Sequence, residues 1–198
     1  MDKERINLKT ERVKEYFVDA AQEILRGEGF PALTVRNLSA RAGYSSTTFY
    51  GYFENISDII YLCLERFSKE CKVMVEDAVK NKKINENTIK TKCIEFVKFF
   101  IQYPGIFELF YTSNIRNLNN NKSSIELINN LFLEIVDSDF KELLKNKEYK
   151  TSTEIKQLEK HLISTLLGLM LLYINRRIPN SYMEFNKLLK EQIDRCFV

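Results

Sequence analysis

The sequence predicts an all-α protein built from about nine helices. Hydrophobic residues recur at helical spacing along almost the whole chain, and no segment shows the alternation of apolar and polar residues that is typical of a half-buried strand. Only six glycines and three prolines occur among the 198 residues, which disfavours a turn-rich all-β fold. Hydrophobic residues make up 44% and charged residues 29%, so we expect a globular chain that buries a core.

The N-terminal part predicts three compact helices followed by a long one. Apolar residues at i, i+4, i+8 and i+11 from Val13 share one face of the first helix, which Gly27 closes. Thr34, Ser45 and Asn55 are N-cap residue types, and each stands just before a further helical pattern. The expected ranges of these four helices are about 13–27, 34–43, 45–52 and 55–80.

Five more helices are predicted in the rest of the chain. The tripeptide Tyr103-Pro104-Gly105 ends the fifth helix, because proline and glycine interrupt the helical pattern. The T-x-x-E sequence of residues 151–154 is a capping box that opens the eighth helix. The Asn-rich segment 113–123 and the charged segment 145–150 are predicted loops. The expected helices cover about 89–103, 106–112, 125–143, 151–175 and 182–196.

Composition and missing motifs exclude several classes of function. The 30 basic and 27 acidic residues give a net charge of +3, which does not by itself indicate a nucleic-acid partner. The four cysteines are far apart and His161 is the one histidine, which excludes a zinc site of the usual spacing and indicates buried free thiols. No phosphate-binding glycine loop, nucleophile elbow or Glu-x-x-His pair occurs. We therefore expect no enzyme, no cofactor, no catalytic residue and no metal ligand.

We expect a cytoplasmic protein without a membrane partner. The N-terminal residues are not followed by the apolar segment of a signal peptide. The longest apolar run, residues 162–174, is shorter than the roughly 18–20 residues that a membrane span needs, and it includes polar residues.

Residues 34–53 have the layout of a helix-turn-helix, in which a glycine turn joins two short helices. Gly43 can adopt the left-handed conformation that such a turn needs. The inner faces of the two helices are apolar, with Leu38, Ala42, Phe49 and Phe53. The outer face of the second helix carries groups that fit a major groove and can hydrogen-bond to base edges or phosphates, namely Ser46, Thr47, Tyr50 and Gly51.

A gap in acidic residues favours a phosphate-facing surface on the same segment. No carboxylate occurs between Glu28 and Glu54, whereas Arg36 and Arg41 are present. A carboxylate on a DNA-facing surface would repel the phosphate backbone. A chance gap in charge is the alternative explanation, and the surrounding helix-turn-helix pattern argues against it.

Residues 34–58, TVRNLSARAGYSSTTFYGYFENISD, resemble the N-terminal domain of the TetR family of bacterial repressors. The resemblance lies in the turn Ala42-Gly43-Tyr44-Ser45 and in the run from Thr48 to Phe53, TFYGYF, and it extends over about residues 10–60. It implies a DNA-binding domain of three helices in residues 1–55. It also implies a helical ligand-binding and dimerisation domain in residues 56–198.

The resemblance implies double-stranded DNA as a partner and a set of contact residues. Thr34 and the two tyrosines would meet the DNA backbone, and the start of the recognition helix would face the bases. The expected DNA-binding residues are Thr34, Arg36, Ser45, Ser46, Thr47, Thr48, Tyr50, Gly51 and Tyr52. One departure from the family pattern concerns the start of the fourth helix, where the family has a phosphate-binding lysine and this chain has Ile56. That change predicts weaker or less salt-dependent DNA binding.

The eighth helix predicts a homodimer, because residues 161–175 are apolar on nearly all sides. A small monomer rarely buries a whole helix circumference near its C-terminus, although a central core helix in a monomer is the alternative. Two small residues four positions apart would let helices approach closely. The expected interface residues are Ser164, Leu167, Gly168 and Leu171.

An aromatic cluster is the best indication of a ligand pocket. Aromatic walls suit an apolar or aromatic small-molecule effector, although an aromatic stripe at helical spacing is more often plain core packing. The candidate pocket residues are Phe67, Cys93, Phe96, Phe100, Phe107, Phe110, Tyr111 and Met170.

These observations together predict a sequence-specific transcriptional regulator. The expected form is a dimeric repressor that an apolar or aromatic ligand releases from a palindromic operator, and it would associate with the bacterial nucleoid when bound to DNA. Two alternatives remain open. One is a ligand-binding or protein-interaction module that no longer reads DNA, and the other is an activator or chromosome-organising protein.

Overall fold

The computed structural model describes residues 2–113, 122–145, 151–179 and 181–197, with side chains from residue 8 onward. Within these ranges the chain forms nine α-helices and no strand, which confirms the all-α prediction. The helices are α1 (Asp2–Gly27), α2 (Val35–Ala42), α3 (Ser46–Tyr50), α4 (Ile56–Val79), α5 (Glu86–Gln102), α6 (Pro104–Phe107), α7 (Lys122–Lys145), α8 (Ser152–Ile174) and α9 (Tyr182–Cys196). A 3₁₀ turn at Phe30–Ala32 follows α1, and a π-helical turn at Glu108–Thr112 continues α6.

Local capping signals place several helix ends. The backbone N–H of Glu154 donates to Thr151 Oγ1 at 3.2 Å, and the N–H of Thr151 donates to Glu154 Oε2 at 2.9 Å, so the predicted capping box is present. Ser181 caps α9 in a similar way, because its hydroxyl accepts from the N–H of Glu184 at 3.2 Å. These bonds satisfy amides that have no partner inside the helix.

Three helix boundaries differ from the sequence-based expectation. Helix α1 begins at Asp2, well before the first apolar residue of its pattern, and α3 ends at Tyr50 rather than near residue 52. Helix α6 begins at Pro104, because proline fits the first turn of a helix, where its missing N–H removes no bond. Of the two predicted loops, residues 114–121 and 146–150 lie outside the described residues.

The chain divides into two compact units. The first unit contains Met1–Ser68 and Tyr103–Ile128, and the second contains Lys69–Gln102 and Asn129–Val198. The division therefore falls inside α4 and inside α7. The segment that begins at Tyr103 belongs to the same unit as the N-terminal helices, which the expected split into residues 1–55 and 56–198 does not anticipate.

Three aromatic rings from α1 and from the region of α3 form the centre of the first unit. The Phe17 and Phe49 rings meet edge to face with centroids 5.6 Å apart, and the Phe53 ring lies 5.3 Å from that of Phe49. All three side chains are buried. Burial of such side chains contributes roughly 1.5–3 kcal/mol each, so this contact can hold a recognition helix of only five residues.

The second unit has an aromatic centre and a buried ion pair. The Phe96 ring lies 5.0 Å from that of Phe100 on the same helix and 5.2 Å from that of Phe132 on α7. Lys92 and Asp139 are each 2% exposed and are paired with each other. The Lys92 ammonium also donates to Glu76 Oε1 at 2.7 Å and to the Ile135 carbonyl at 2.9 Å. Its three donors therefore have three acceptors, which offsets the cost of taking the charge out of water.

Three of the four cysteines are buried free thiols, as the sequence predicts. They are Cys63, Cys71 and Cys93, whereas Cys196 is half-buried. Burial raises the pKa of Cys63 and of Cys71 to about 12, because a thiolate is poorly solvated in the core. No helix within the described residues is long and apolar enough to cross a bilayer.

Candidate nucleic-acid interface

The turn between α2 and α3 has the geometry of a helix-turn-helix. Gly43 adopts the left-handed conformation at φ 76° and ψ 26°, which a residue with a side chain rarely takes. The Tyr44 N–H donates to the Ser39 carbonyl at 3.0 Å, closing the end of α2. The buried side chains of Leu38 and Phe49 hold the two helices together from inside.

Hydroxyl groups fix the starts of both helices. Thr34 Oγ1 accepts from the Asn37 N–H at 3.2 Å, and Ser45 Oγ accepts from the Thr48 N–H at 3.0 Å. The Ser45 and Thr48 hydroxyls also share a hydrogen bond of 2.9 Å. Both N-caps therefore occur where the sequence predicts them. The Thr48 hydroxyl is thus engaged in a hydrogen bond within the domain, so the hydroxyl groups of α3 that are available to DNA belong to other residues.

The structure places the expected DNA-contact residues on one short segment, mostly in contact with solvent. Tyr50 is 61% exposed, and Ser46 and Thr47 are exposed at the first turn of α3. Thr34, Arg36, Ser45 and Gly51 are also exposed, whereas Thr48 and Tyr52 are half-buried. The exposed set combines hydroxyl donors with a guanidinium group, which is chemistry suited to phosphates and base edges.

The positive charge of Arg41 is balanced by nearby carboxylates, which the sequence does not indicate. Its guanidinium is paired with Glu28 and lies 3.7 Å from a carboxylate oxygen of Glu23. Glu23 lies on α1 and Glu28 directly follows its end, so the acid-free stretch of sequence is not free of acids in space. Among the described residues, Arg36 has no ion-pair partner, so of these two arginines it is the one that remains available to a phosphate.

At the start of α4, nearby side chains accept hydrogen bonds from the backbone N–H groups. Asp58 Oδ2 accepts from the backbone N–H of Glu54 at 2.8 Å and from that of Asn55 at 3.3 Å. Asn55 Oδ1 accepts from the Ser57 N–H at 2.7 Å. Ile56, at the position of the family lysine, is half-buried. A helix N-terminus normally attracts anions, and here the acidic residues Glu54 and Asp58 close to it reduce that attraction.

Helix α1 holds the helix-turn-helix through contacts that the sequence reasoning missed. The Tyr44 ring, in the turn, lies 5.5 Å from that of Phe17 and 6.2 Å from that of Tyr16. Arg66 on α4 donates to Asp19 Oδ1 at 2.7 Å and is also paired with Glu15, which joins α4 to α1. The periodic apolar face of α1 could have indicated the role of Phe17, whereas no local pattern signals the partners of Arg66.

The expected pocket residues are divided between the two units. Phe67, Phe107 and Phe110 are buried in the first unit and Tyr111 is half-buried there, whereas Cys93, Phe96, Phe100 and Met170 are buried in the second. A cleft of about 490 Å³ opens elsewhere in the second unit, between α7 and α8. None of the eight residues lines that cleft, whose walls include Leu133, Phe140 and Ile155.

The expected dimer residues lie on a surface stripe of α8. Ser164, Gly168 and Leu171 are exposed and Leu167 is half-buried. Further apolar side chains of the second unit are also exposed, among them Tyr182 at 48% and Met183 at 79%.

Residues 17–60 match the profile of bacterial regulatory proteins of the tetR family. The match covers the C-terminal part of α1, α2, the turn, α3 and the start of α4, so it includes the exposed hydroxyl face of α3. This N-terminal segment is therefore similar to the DNA-binding domain of TetR-family regulators. A curated relative, the uncharacterised HTH-type transcriptional regulator YwcC of Bacillus subtilis (strain 168), agrees with this similarity. It is 29% identical over 75 residues, which are 38% of this chain and 34% of YwcC. The aligned part thus spans about a third of that relative's length.

Solved structures of other regulators share the fold of this chain over nearly its full length. FadR from Bacillus subtilis, solved in complex with stearoyl-CoA, has a TM-score of 0.70 at 16% identity, with 92% of this chain and 96% of FadR covered. A putative TetR-family regulator from Rhodococcus sp. has a TM-score of 0.69 at 11% identity, covering 94% of this chain and 100% of that one. At such identities the likeness concerns the fold.

Proposed function

We propose that this protein is a sequence-specific DNA-binding transcriptional regulator of the TetR family. The observation that carries the proposal is the exposed, hydroxyl-bearing face of α3, held by the Ser45 cap and by the buried Phe49. That face is small enough to enter a major groove and offers groups that hydrogen-bond to base edges. The family match over residues 17–60 covers the same elements.

The exposed residues divide into two roles. Ser46 and Thr47, at the first turn of α3, would contact base edges and supply discrimination between sequences. Tyr50, Arg36 and Thr34 would contact phosphates, which positions the helix without reading sequence. Tyr52 is half-buried, so its contribution would come from the hydroxyl end of its ring.

The active form would be a homodimer on a palindromic operator. The exposed apolar side chains of α8 and α9 support this proposal, because such a surface is costly to leave in water. A two-fold dimer would place the two α3 helices in successive major grooves, about 34–36 Å apart. The expected interface residues are Ser164, Leu167, Gly168 and Leu171 of both chains.

Regulation would come from an apolar or aromatic effector that prefers a form unable to bind DNA. A ligand of that kind shifts the population away from the operator-bound state by its difference in affinity for the two forms. The rings around Phe96 support an apolar ligand class. Because FadR, which shares the fold, was solved with stearoyl-CoA, long-chain acyl-CoA is the first class to test.

One observation favours a second candidate, a module that has lost DNA binding. The start of α4 carries Ile56 instead of the family lysine, and Glu54 and Asp58 stand beside it. The loss of one ionic contact per subunit weakens binding and does not remove the groove-reading face, so the regulator remains the better supported function.

A binding titration distinguishes the two candidates. The probe is the DNA upstream of the protein's own gene, tested at two salt concentrations against a scrambled competitor, together with a selection of bound fragments from sheared genomic DNA. We expect saturable, competitor-resistant binding with two chains per site. Weak binding that is equal on both DNAs, combined with no enriched fragment in the selection, would rule out the regulator.

A further inference from the structure

The beginning of α6 lies directly against the C-terminal end of α1, within the first unit. If Gly105 carried a Cβ atom, that atom would overlap the carbonyl oxygen of Leu25 and would lie 2.7 Å from the Cα of Gly29. The two backbones can therefore touch only because position 105 has no side chain. Such a close backbone contact fixes the separation of the two segments more tightly than a contact between flexible side chains does.

A second contact holds the same junction. The Arg26 guanidinium carbon lies 4.9 Å from the centre of the Tyr103 ring and 5.0 Å from that of Phe67. Arg26 belongs to α1, Phe67 to α4, and Tyr103 is the residue that precedes α6. A cation between two aromatic rings is attracted to both faces, so the position of Tyr103 is tied to α1 and to α4 at once.

Helix α1 connects this junction with the recognition helix. Phe17 lies eight residues before Leu25 on α1, which is about 12 Å along a helix axis. Its ring contacts those of Phe49 on α3 and of Tyr44 in the turn. An α-helix is stiff over such a length, so a displacement of its C-terminal end moves Phe17 as well.

We propose that Tyr103 and Gly105 are positioning residues for DNA binding, because they fix the end of α1 that orients the recognition helix. The inference rests on the proposed function, and it extends the DNA-reading part of the chain to a segment far beyond residue 55. Tyr103 is the residue at which the chain re-enters the first unit after α5. The π-helical turn at Glu108–Thr112 follows directly, and such turns are common at functional sites.

The main test compares Gly105→Ala with Gly27→Ala in the full-length protein. Gly27 lies on α1 close to the junction, but an added Cβ would meet nothing within 4 Å there, so this variant is the matched control. We expect Gly105→Ala to lose about tenfold in affinity for the operator, a usual size for coupling between sites. Gly27→Ala should stay within about twofold, as do most substitutions that disturb no contact.

The salt dependence of binding separates a positioning role from simple destabilisation. A partly unfolded sample binds in proportion to its folded fraction, so its slope of log affinity against log salt stays that of the parent protein. A misplaced α3 loses phosphate contacts, and each lost contact flattens that slope by about one unit. We therefore expect Gly105→Ala to show both weaker binding and a flatter slope.

Tyr103→Leu provides a second variant in case Gly105→Ala does not fold. It removes the ring beside Arg26 and leaves the backbone contact of Gly105 intact, and we expect weaker binding with a flatter slope in the same direction. Parental affinity and slope in the folded variants would overturn the inference. If the parent protein itself shows no sequence-specific binding, the proposed function fails instead, so the two failures are distinguishable.

Discussion

The ring of Phe17 on α1 meets the ring of Phe49 on α3 edge to face, with centroids 5.6 Å apart. Helix α3 has only five residues, too few for an isolated helix to be stable in water. The contact with Phe17 therefore supplies tertiary stabilisation that α3 lacks by itself. The position of the groove-reading face thus depends on α1.

Phe17→Ala should destabilise the first unit strongly. The buried ring leaves a cavity, and substitutions of this kind typically cost about 3–5 kcal/mol in the free energy of unfolding. Tyr16→Ala is the control, because that side chain is 56% exposed, and it should cost less than about 1 kcal/mol. Urea unfolding measures both values. Equal losses in the two variants would contradict the central role of Phe17.

Tyr50→Ala should weaken binding to every DNA sequence. Loss of a phosphate contact from an exposed hydroxyl should cost about 1 kcal/mol or more, and the fold should remain intact because the side chain is solvent-exposed. Tyr50→Phe is the matched variant, since it removes only the hydroxyl, and it should reproduce most of the loss. Titrations on specific and scrambled DNA measure both. If Tyr50→Phe binds like the parent protein, the hydroxyl has no backbone role.

Ile56→Lys should tighten DNA binding. The new ammonium would restore an ionic contact, and the slope of log affinity against log salt should become steeper by about one unit per subunit. Ile56→Gln is the control, because it is polar and uncharged and should leave the slope unchanged. Identical slopes for the lysine and glutamine variants would mean that the start of α4 does not approach the phosphates.

Breaking the buried ion pair of the second unit should be costly. Lys92→Met leaves the Asp139 carboxylate buried without its cation, which typically costs about 3–5 kcal/mol. The double variant Lys92→Met, Asp139→Leu should recover part of this loss, because no unpaired charge remains in the core. Lys141→Met breaks the exposed pair with Asp137 and should cost less than about 1 kcal/mol. Denaturant titrations that rank the three variants differently would contradict the assignment.

The features that the sequence predicts well are local. The caps at Thr34, Ser45 and Thr151 depend on residues three positions apart, and the left-handed Gly43 depends on one residue. Such signals are readable because the interacting groups are neighbours in the chain. The helix-turn-helix therefore follows from the sequence nearly in full.

The features that the sequence does not predict depend on distant partners. The pairing of Arg41 with Glu28, of Lys92 with Asp139 and of Arg66 with Asp19 joins residues that are 13, 47 and 47 positions apart. Their partners become visible only once the helices have packed. The contact of Gly105 with the end of α1 belongs to the same class, and so does the membership of residues 103–128 in the first unit.

The most direct test of DNA reading by α3 is the ratio of affinities for a selected operator and for a scrambled site at one salt concentration. For the parent protein we expect a ratio of about 10³ or more, as is usual for specific binders. Replacing both Ser46 and Thr47 by alanine should lower the ratio by at least about tenfold, since a lost base contact typically costs 1–3 kcal/mol. The affinity for the scrambled site should stay nearly constant. A parental ratio near one, or a ratio that the double substitution leaves unchanged, would contradict sequence reading by this helix.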